Sequence, residues 1–220
     1  AGAASAKLPQ FPGRPAVDTR GNNPMWDERY SEPGFAYGAE PNHFLVEQAN
    51  RIAPGPVLCL AEGEGRNAVW LAEQGHDVTA VDASSVGLEK ARGLARTRSV
   101  RITTHCADLR DYRIDHGYWS TIVSIFAHLP PEVRRKVHHQ VVSGLRPGGL
   151  LILEAYTPRQ LDYGTGGPPA PEMMMDAALL KDELAGLEFH LLGEGEREVI
   201  EGSYHTGPAH VVQAVARKPA

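Results

Sequence analysis

Gly63-Glu64-Gly65-Arg66-Asn67-Ala68 spaces its small residues as Gly-x-Gly-x-x-Ala. Glycines so placed permit a tight turn and a close approach of backbone to ligand. The apolar run Val57-Leu58-Cys59-Leu60-Ala61 precedes the turn and a helical pattern follows it, the setting a nucleotide-type cofactor needs. Asp82, with Ala83 beside it, ends the next predicted strand about 20 residues on, where a carboxylate can accept from both hydroxyls of a ribose. These features suit a nicotinamide dinucleotide and S-adenosylmethionine (SAM) alike. Charge separates them: Glu62 and Glu64 bracket Gly63, where a dinucleotide would place its anionic pyrophosphate, whereas SAM brings an ammonium and a sulfonium. The turn therefore favours SAM over the cofactor of an NAD-dependent reductase. Asp108, in Cys106-Ala107-Asp108-Leu109, follows the third predicted strand and can accept from an adenine amino group, although alone it would read as a turn cap. The Gly-x-x-x-x-Gly-Lys-Ser/Thr loop of nucleotide triphosphate hydrolysis is absent from the sequence.

Methyl transfer is an in-line displacement, so the protein chiefly aligns donor and nucleophile in a dry site. Phe126-Ala127-His128-Leu129 follows the fourth predicted strand, at the carboxyl end where such sheets hold ligands. His128 is the leading base or orienting group, because an imidazole with its ordinary pKa of ~6.5 can accept a proton near neutrality; its alternative role is packing beside the cofactor. Tyr156, Tyr163, Glu201, Tyr204 and His205 fall on segments expected to border the same mouth. Tyr156 and His205 are further catalytic candidates, and Glu201 with His205 could handle a substrate proton. Met173-Met174-Met175 offers either a soft wall for a thiol or chalcogen acceptor or plain core filling. Cys59 reads as core, Cys106 has no adjacent base, and Arg134-Arg135-Lys136 reads as a solvated helix face. With two cysteines and no His-Glu-x-x-His helix, neither a disulfide scaffold nor a metal site is expected, and a reducing, cytoplasmic setting is. A reducing organelle lumen is the alternative if the first residues are a targeting remnant.

The elements that must position these groups alternate. Helices are predicted over Trp26–Ser31 and from Pro41 to Ile52, then strands and helices in turn: Val57–Ala61, Asn67–Gln74, His76–Asp82, a helix capped by Ser84 or Ser85, Val100–Thr104, Trp119–Phe126, a helix from Pro130, and Leu150–Tyr156. Such βαβ units imply a mostly parallel sheet with helices on both faces and a ligand at the strands' carboxyl ends. Thr157–Pro171 is a long Pro- and Gly-rich loop expected to wall the site, Met173–Leu184 reads as a helix, and Glu188–Ile200 with Tyr204–Arg217 would pair as an antiparallel hairpin at a sheet edge. Residues 1–24 read as a flexible leader and 25–220 as one domain.

The chain of 220 residues is 42% hydrophobic and 22% charged, which fits a packed domain and excludes a disordered or coiled-coil chain. A net charge of -5 gives no field to gather nucleic acid or coat an anionic membrane, and no apolar run approaches a membrane span. A small-molecule acceptor is expected; the oligomeric state is left open.

In the order of its elements, residues 25–217 resemble the class I SAM-dependent methyltransferases. Trp26-Asp27-Glu28-Arg29-Tyr30, Tyr37-Gly38, Pro41 and Gly63-Glu64-Gly65-Arg66-Asn67 are similar to the tellurite-resistance methyltransferase-like branch. The resemblance implies an α/β fold: a doubly wound, mostly parallel, seven-stranded Rossmann-like sheet with an antiparallel C-terminal edge hairpin. It implies that Glu62, Gly63 and Gly65 face the methionine part of SAM, Asp82 and Ala83 the ribose, Asp108 and Leu109 the adenine, and that Phe126 lies beside them. It also implies a helical lid over residues 25–53 in which Trp26, Tyr30 and Tyr37 fold over the cofactor. Where the family's first strand ends in Asp-Leu-Gly-Cys-Gly, this one ends in Cys59-Leu60-Ala61-Glu62-Gly63, so Glu62 stands in for the displaced acid. The expected activity is methylation of a small soft nucleophile, a thiol or a tellurium or selenium species; a noncatalytic SAM-binding module is the alternative.

Overall fold

A computed structural model describes residues 24–168 and 170–220; the leader expected over residues 1–24 lies outside the described residues except at Pro24. Helices α1 (Pro24–Tyr30) and α2 (His43–Gln48) precede strand β1 (Pro56–Leu60). Then follow α3 (Arg66–Glu73), β2 (Asp77–Asp82), α4 (Ser85–Thr97), β3 (Thr103–Cys106), β4 (Trp119–Ile125), α5 (Pro131–Gly144) and β5 (Leu145–Tyr156). Helix α6 (Ala177–Glu183) and strands β6 (Glu188–Glu201) and β7 (His205–Arg217) complete the chain.

The seven strands form one sheet in the order β3-β2-β1-β4-β5-β7-β6. Strands β1 to β5 run parallel, and β7 is antiparallel to both β5 and β6. Successive residues of β1 point to opposite faces. Leu58 and Leu60 join one apolar cluster with Val133, Val137 and Val141 of α5, while Val57 and Cys59 join another with Leu71 of α3 and Leu88 of α4. The strand order reverses between β1 and β4, so a crevice opens beyond their carboxyl ends, the place where such sheets hold ligands.

Several expectations need correction. The third strand lies at Thr103–Cys106 rather than Val100–Thr104; half-buried Val100 and Ile102 instead pack against Val69, Leu94 and Ala95 ahead of the strand. The helix expected from Met173 begins at Ala177, because Asp176 caps it by accepting from the Leu179 N–H while Met175 donates its N–H to the Tyr156 carbonyl. Asn42, not Pro41, opens α2, while of the two caps expected for α4 Ser84 is the one used. Arg134 is no solvated residue: it is buried with its guanidinium against Glu183, and Nη1 donates to the Glu172 carbonyl at 2.6 Å, pinning the loop before α6.

Candidate functional site

The turn after β1 is held by its own acids. Glu62 accepts the Ala68 N–H at 2.7 Å, capping the first turn of α3, and Asp82 accepts from the Gly63 N–H and the Ser84 N–H, each at 2.8 Å. Each carboxylate oxygen keeps accepting capacity for a ligand. Burial pushes the Glu62 carboxyl up to about 7 against the pull of the Ala68 N–H and Arg66, and pushes Asp82 up to about 6 against the N–H groups of Ser84 and Gly63. Two acids so disfavoured as anions are poised to take a cation.

Glu64 has another job. It pairs with Lys90 at 2.8 Å and accepts the Ala36 N–H at 2.7 Å, and Lys90 also donates to the carbonyls of Glu32 and Gly34. Glu64 thus tethers the segment after α1, its charge compensated, and the bias against an anionic pyrophosphate rests on Glu62 and Asp82.

Helix α1 covers the turn. Asp27 accepts from the Ser84 hydroxyl at 2.5 Å, Arg29 donates to the Tyr37 hydroxyl at 2.8 Å, and the Arg29 guanidinium lies over the rings of Trp26 and Tyr204. Tyr30 lies so close to the turn that a Cβ at Gly63 would stand 2.6 Å from its hydroxyl oxygen, and Gly63 itself has φ +60°. Ala61 (φ +50°) and Phe126 (φ +53°) hold the left-handed conformation without being glycine, at the carboxyl ends of β1 and β4. Strain of this kind concentrates at ligand sites; at Ala61 it falls where the resembled family has glycine.

These parts enclose a cavity of about 770 Å³, within the roughly 300–1,000 Å³ typical of small-molecule sites. Trp26, Tyr30, Tyr37, Glu62, Gly63, Asp82, Ala83, Asp108, Leu109, Phe126, His128 and His205 all line it. The acids at one end, the glycine cradle and the aromatic cover fit a cofactor carrying an adenosine and a sulfonium.

Gly65, Tyr156, Tyr163 and Glu201 are not brought to the cavity wall. Gly65, at φ +88°, would put a Cβ 2.5 Å from that of Ala91, so its smallness serves the packing of α3 on α4. Tyr156 is fully buried behind Phe126, His128 and His205, with ring centroids 4.6, 5.5 and 5.2 Å away, and burial raises its phenol beyond any role as an acid near neutrality. His128 reaches the cavity, but its Nε2 accepts the Tyr156 N–H at 3.0 Å, and burial with the Arg134 charge lowers the imidazole to about 4. That corrects its expected role as a base. Glu201 does not pair with His205; it is shared among Arg66 (2.6 Å), Asn42 (2.8 Å) and Arg197 (3.2 Å). Tyr163 is turned outward to Glu196, Tyr204 reaches the cavity, and of the three methionines only Met173 lines it. Arg66 and Arg29, which the sequence marked only as members of the motifs shared with the resembled branch, also line the cavity.

Residues 57–149 match the family described as a methyltransferase domain. Over those residues the chain carries a methyltransferase domain, and as a whole it is similar to SAM-dependent methyltransferases. The chain is 26% identical to 2-heptyl-1-hydroxyquinolin-4(1H)-one methyltransferase of Mycobacteroides abscessus over 159 residues, 69% of each chain. It is 32% identical to glycine/sarcosine N-methyltransferase of Halorhodospira halochloris over 134 residues, covering 59% of this chain and 47% of that relative. It superimposes on TehB from Haemophilus influenzae with a TM-score of 0.68 at 22% identity, over 88% of this chain and 65% of TehB. A structure concerned with the conversion of a disulfide bond into a thioacetal group in echinomycin biosynthesis gives 0.73 at 20% identity, over 89% and 91%. The structural likenesses establish the fold, and it is the Rossmann-like one expected. Among the described residues, no helix is long and apolar enough to cross a membrane and no cluster of His, Cys, Asp and Glu could hold a metal ion.

Proposed function

We propose that this domain transfers the methyl group of SAM to a small acceptor that arrives already ionised, a thiolate or a selenium or tellurium species. SAM held in the cavity would supply an electrophilic methyl, the S–C electron pair returning to sulfur as the acceptor's lone pair forms the new bond. Glu62 and Gly63 hold the methionine part, Asp82 and Ala83 the ribose, Asp108 and Leu109 the adenine, and Trp26, Tyr30 and Tyr37 exclude water. Phe126 and His128 shape the space beside the methyl. The cavity that gathers these side chains supports this assignment.

One observation carries the choice of acceptor: neither cavity histidine is a competent base. His128 has its accepting nitrogen occupied by a backbone N–H, and burial with the nearby Arg66, His128, Arg29 and Arg197 holds His205 well below an ordinary imidazole. An acceptor that is an anion at neutral pH needs no base, a condition that a thiol of lowered pKa meets and an ordinary hydroxyl does not. The net charge of -5 supports a small molecule over nucleic acid. Thiophenol and phenol, matched in shape, test this. Thiophenol is expected to be methylated about 10²-fold faster at pH 7.5, the factor a general base would otherwise supply, with a rate that follows ionisation of the thiol alone. Comparable rates for phenol, with a pH limb belonging to the protein, would overturn it.

A further inference from the structure

The lining of the cavity changes character along the chain. Its acids and arginines all fall between Arg29 and Arg110, on α1, the glycine turn and the ends of β2 and β3. Among the described residues that line it from Ile125 onward, none is an acid, a lysine or an arginine. That second wall is built from Phe126, His128 and Leu129 of the β4–α5 connection, Val133 in the first turn of α5, and Pro168 and Met173 of the loop after β5. Its two histidines, His128 and His205, are neutral, because burial lowers the first to about 4 and holds the second well below an ordinary imidazole. His128 has no polar atom to spare, since Nε2 accepts the Tyr156 N–H at 3.0 Å and the Phe126 carbonyl takes the ring's own N–H. A charged group laid on this wall would lose its water with no countercharge to replace it.

The rings of this wall stand in two orientations. The His128 ring lies 7° from the plane of Tyr156 behind it, with centroids 5.5 Å apart, and the Phe126 ring lies 30° from His128 and 32° from Tyr156. His205 stands across them, at 69° to Phe126 and 81° to Tyr156, with centroids 4.9 and 5.2 Å away. Rings set nearly at right angles make a corner in which a planar ring stacks on one side and meets the other edge to face, the two arrangements that aromatic pairs prefer. Phe126 enters this corner from a left-handed backbone, φ +53°, the kind of strain that collects at ligand sites. The loop after β5 is pressed against the same rings. A Cβ at Gly167 would stand 2.9 Å from the Tyr156 ring, and one at Gly166 would stand 2.9 Å from the Tyr204 carbonyl oxygen, at φ +90° and +146°. Glycine alone tolerates both the conformation and the approach, which brings buried Pro168 to the cavity.

We infer that the methyl acceptor carries its nucleophilic atom on a flat, otherwise uncharged aromatic ring, which stacks on Phe126 and fills the corner between Phe126, His205, Leu129 and Met173. The inference rests on the proposed methyl transfer and narrows it: the acceptor is an aryl or heteroaryl thiolate, or its heavier chalcogen counterpart, and not an inorganic oxyanion. Its one formal charge sits on the nucleophile and faces the sulfonium, while the ring that bears it lies against the wall that holds no charge. An oxyanion with charge on several oxygens would find no cation on that wall.

Methyl phenyl sulfide, the product that the simplest such acceptor would leave, is titrated calorimetrically into the full chain saturated with S-adenosylhomocysteine. Beside it go methyl cyclohexyl sulfide, similar in size but not flat, and para-(methylthio)benzoate, which adds a carboxylate. The phenyl sulfide is expected to bind at least about threefold more tightly than the cyclohexyl one, the factor that ring stacking adds beyond burial. It is expected to bind at least about tenfold more tightly than the benzoate, whose charge has no partner on the wall. Met173→Lys sets a cation there and is expected to cut the preference over the benzoate to under about threefold. The comparison on the unmutated chain stands even if the variant misfolds. Equal or tighter binding of the cyclohexyl sulfide or the benzoate by the unmutated chain, or binding of none of the probes, overturns the inference. So does a folded Met173→Lys variant that still rejects the carboxylate. Failure of S-adenosylhomocysteine to bind the unmutated chain would instead remove the methyl-transfer reading, and the same sulfides titrated into the chain alone would still decide whether the wall takes an aromatic ring.

Discussion

Raising the pH from 6 to 7.5 should tighten SAM binding about fifteenfold. Burial holds Glu62 at about 7 and Asp82 at about 6 in the ligand-free fold. If the cationic ligand requires both as carboxylates, the competent fraction is roughly 0.05 at pH 6 and roughly 0.7 at pH 7.5, a ratio worth ~1.6 kcal/mol. The same linkage requires about 1.4 protons to leave the protein per SAM bound at pH 6, falling to roughly 0.3 at pH 7.5. The window ends there because the ligand's own α-amino group titrates near ~7.7–8.0. Calorimetry in buffers of different ionisation enthalpy reads affinity and proton release together. Glu62→Gln should leave only the Asp82 contribution, about a twofold change over the same interval. An affinity that is flat or falls with rising pH, or a titration that releases no protons, would refute the argument that buried acids form the cation end of the cavity.

Other consequences are open to simpler tests. Because the folded Glu62 binds its proton more tightly than the unfolded one, its contribution to stability is fully present below about 4.5 and is lost as the pH rises through about 7. Glu62→Gln, which never ionises, should therefore match the unmutated chain in unfolding free energy at about pH 4 and exceed it by up to ~3 kcal/mol at about pH 8. Gly63→Ala forces a Cβ onto the Tyr30 hydroxyl at φ +60° and should lower SAM affinity at least about tenfold, whereas Gly148→Ala, at φ +74° with nothing within 4 Å, should cost stability alone. Tyr156→Phe should retain turnover within about threefold, since its ring sits behind the cavity wall and a lost phenol proton there touches no acceptor. Arg134→Ala leaves Glu183 buried without its guanidinium and should cost ~3–5 kcal/mol in chemical denaturation.

How much of this was legible in the residues depends on what each residue's neighbours dictate. The central strands could be read because parallel strands covered on both faces are buried at every position, which makes Val57 to Leu60 wholly apolar and keeps Trp119 to Ile125 free of charged residues. The third strand was misplaced because the edge of a sheet makes no such demand: Thr103–Cys106 is largely exposed, and the apolar residues just before it belong to a loop packed on α3 and α4. Met174 and Met175 carry a helical composition but are drawn into the core as extended chain, a tertiary preference that propensity does not register. Arg134 lies three and four residues before Val137 and His138 on the buried stripe of α5, a periodicity that was outweighed by its two basic neighbours.

The site was legible as a set of motifs and not as a set of roles. The turn, Asp82, Asp108 and the aromatic cover could be placed because their order along the chain fixes their place in a βαβ sheet. His128 and Tyr156 were overvalued because a histidine or tyrosine in sequence shows nothing of its hydrogen-bond partners, and here a backbone N–H occupies the one and burial the other. Arg66 was undervalued for the converse reason: its partner is the Glu201 carboxylate 135 positions away, a contact that only the closed hairpin creates.

The central claim, a cavity with a cation-binding acidic end on a methyltransferase fold, is tested most directly by titrating the full chain with SAM, S-adenosylhomocysteine and NAD at pH 7.5, with Asp82→Ala alongside. Micromolar binding of SAM and S-adenosylhomocysteine, lost in Asp82→Ala and absent for NAD, is the result expected. Binding of NAD in place of SAM, or SAM affinity indifferent to Asp82, would contradict it.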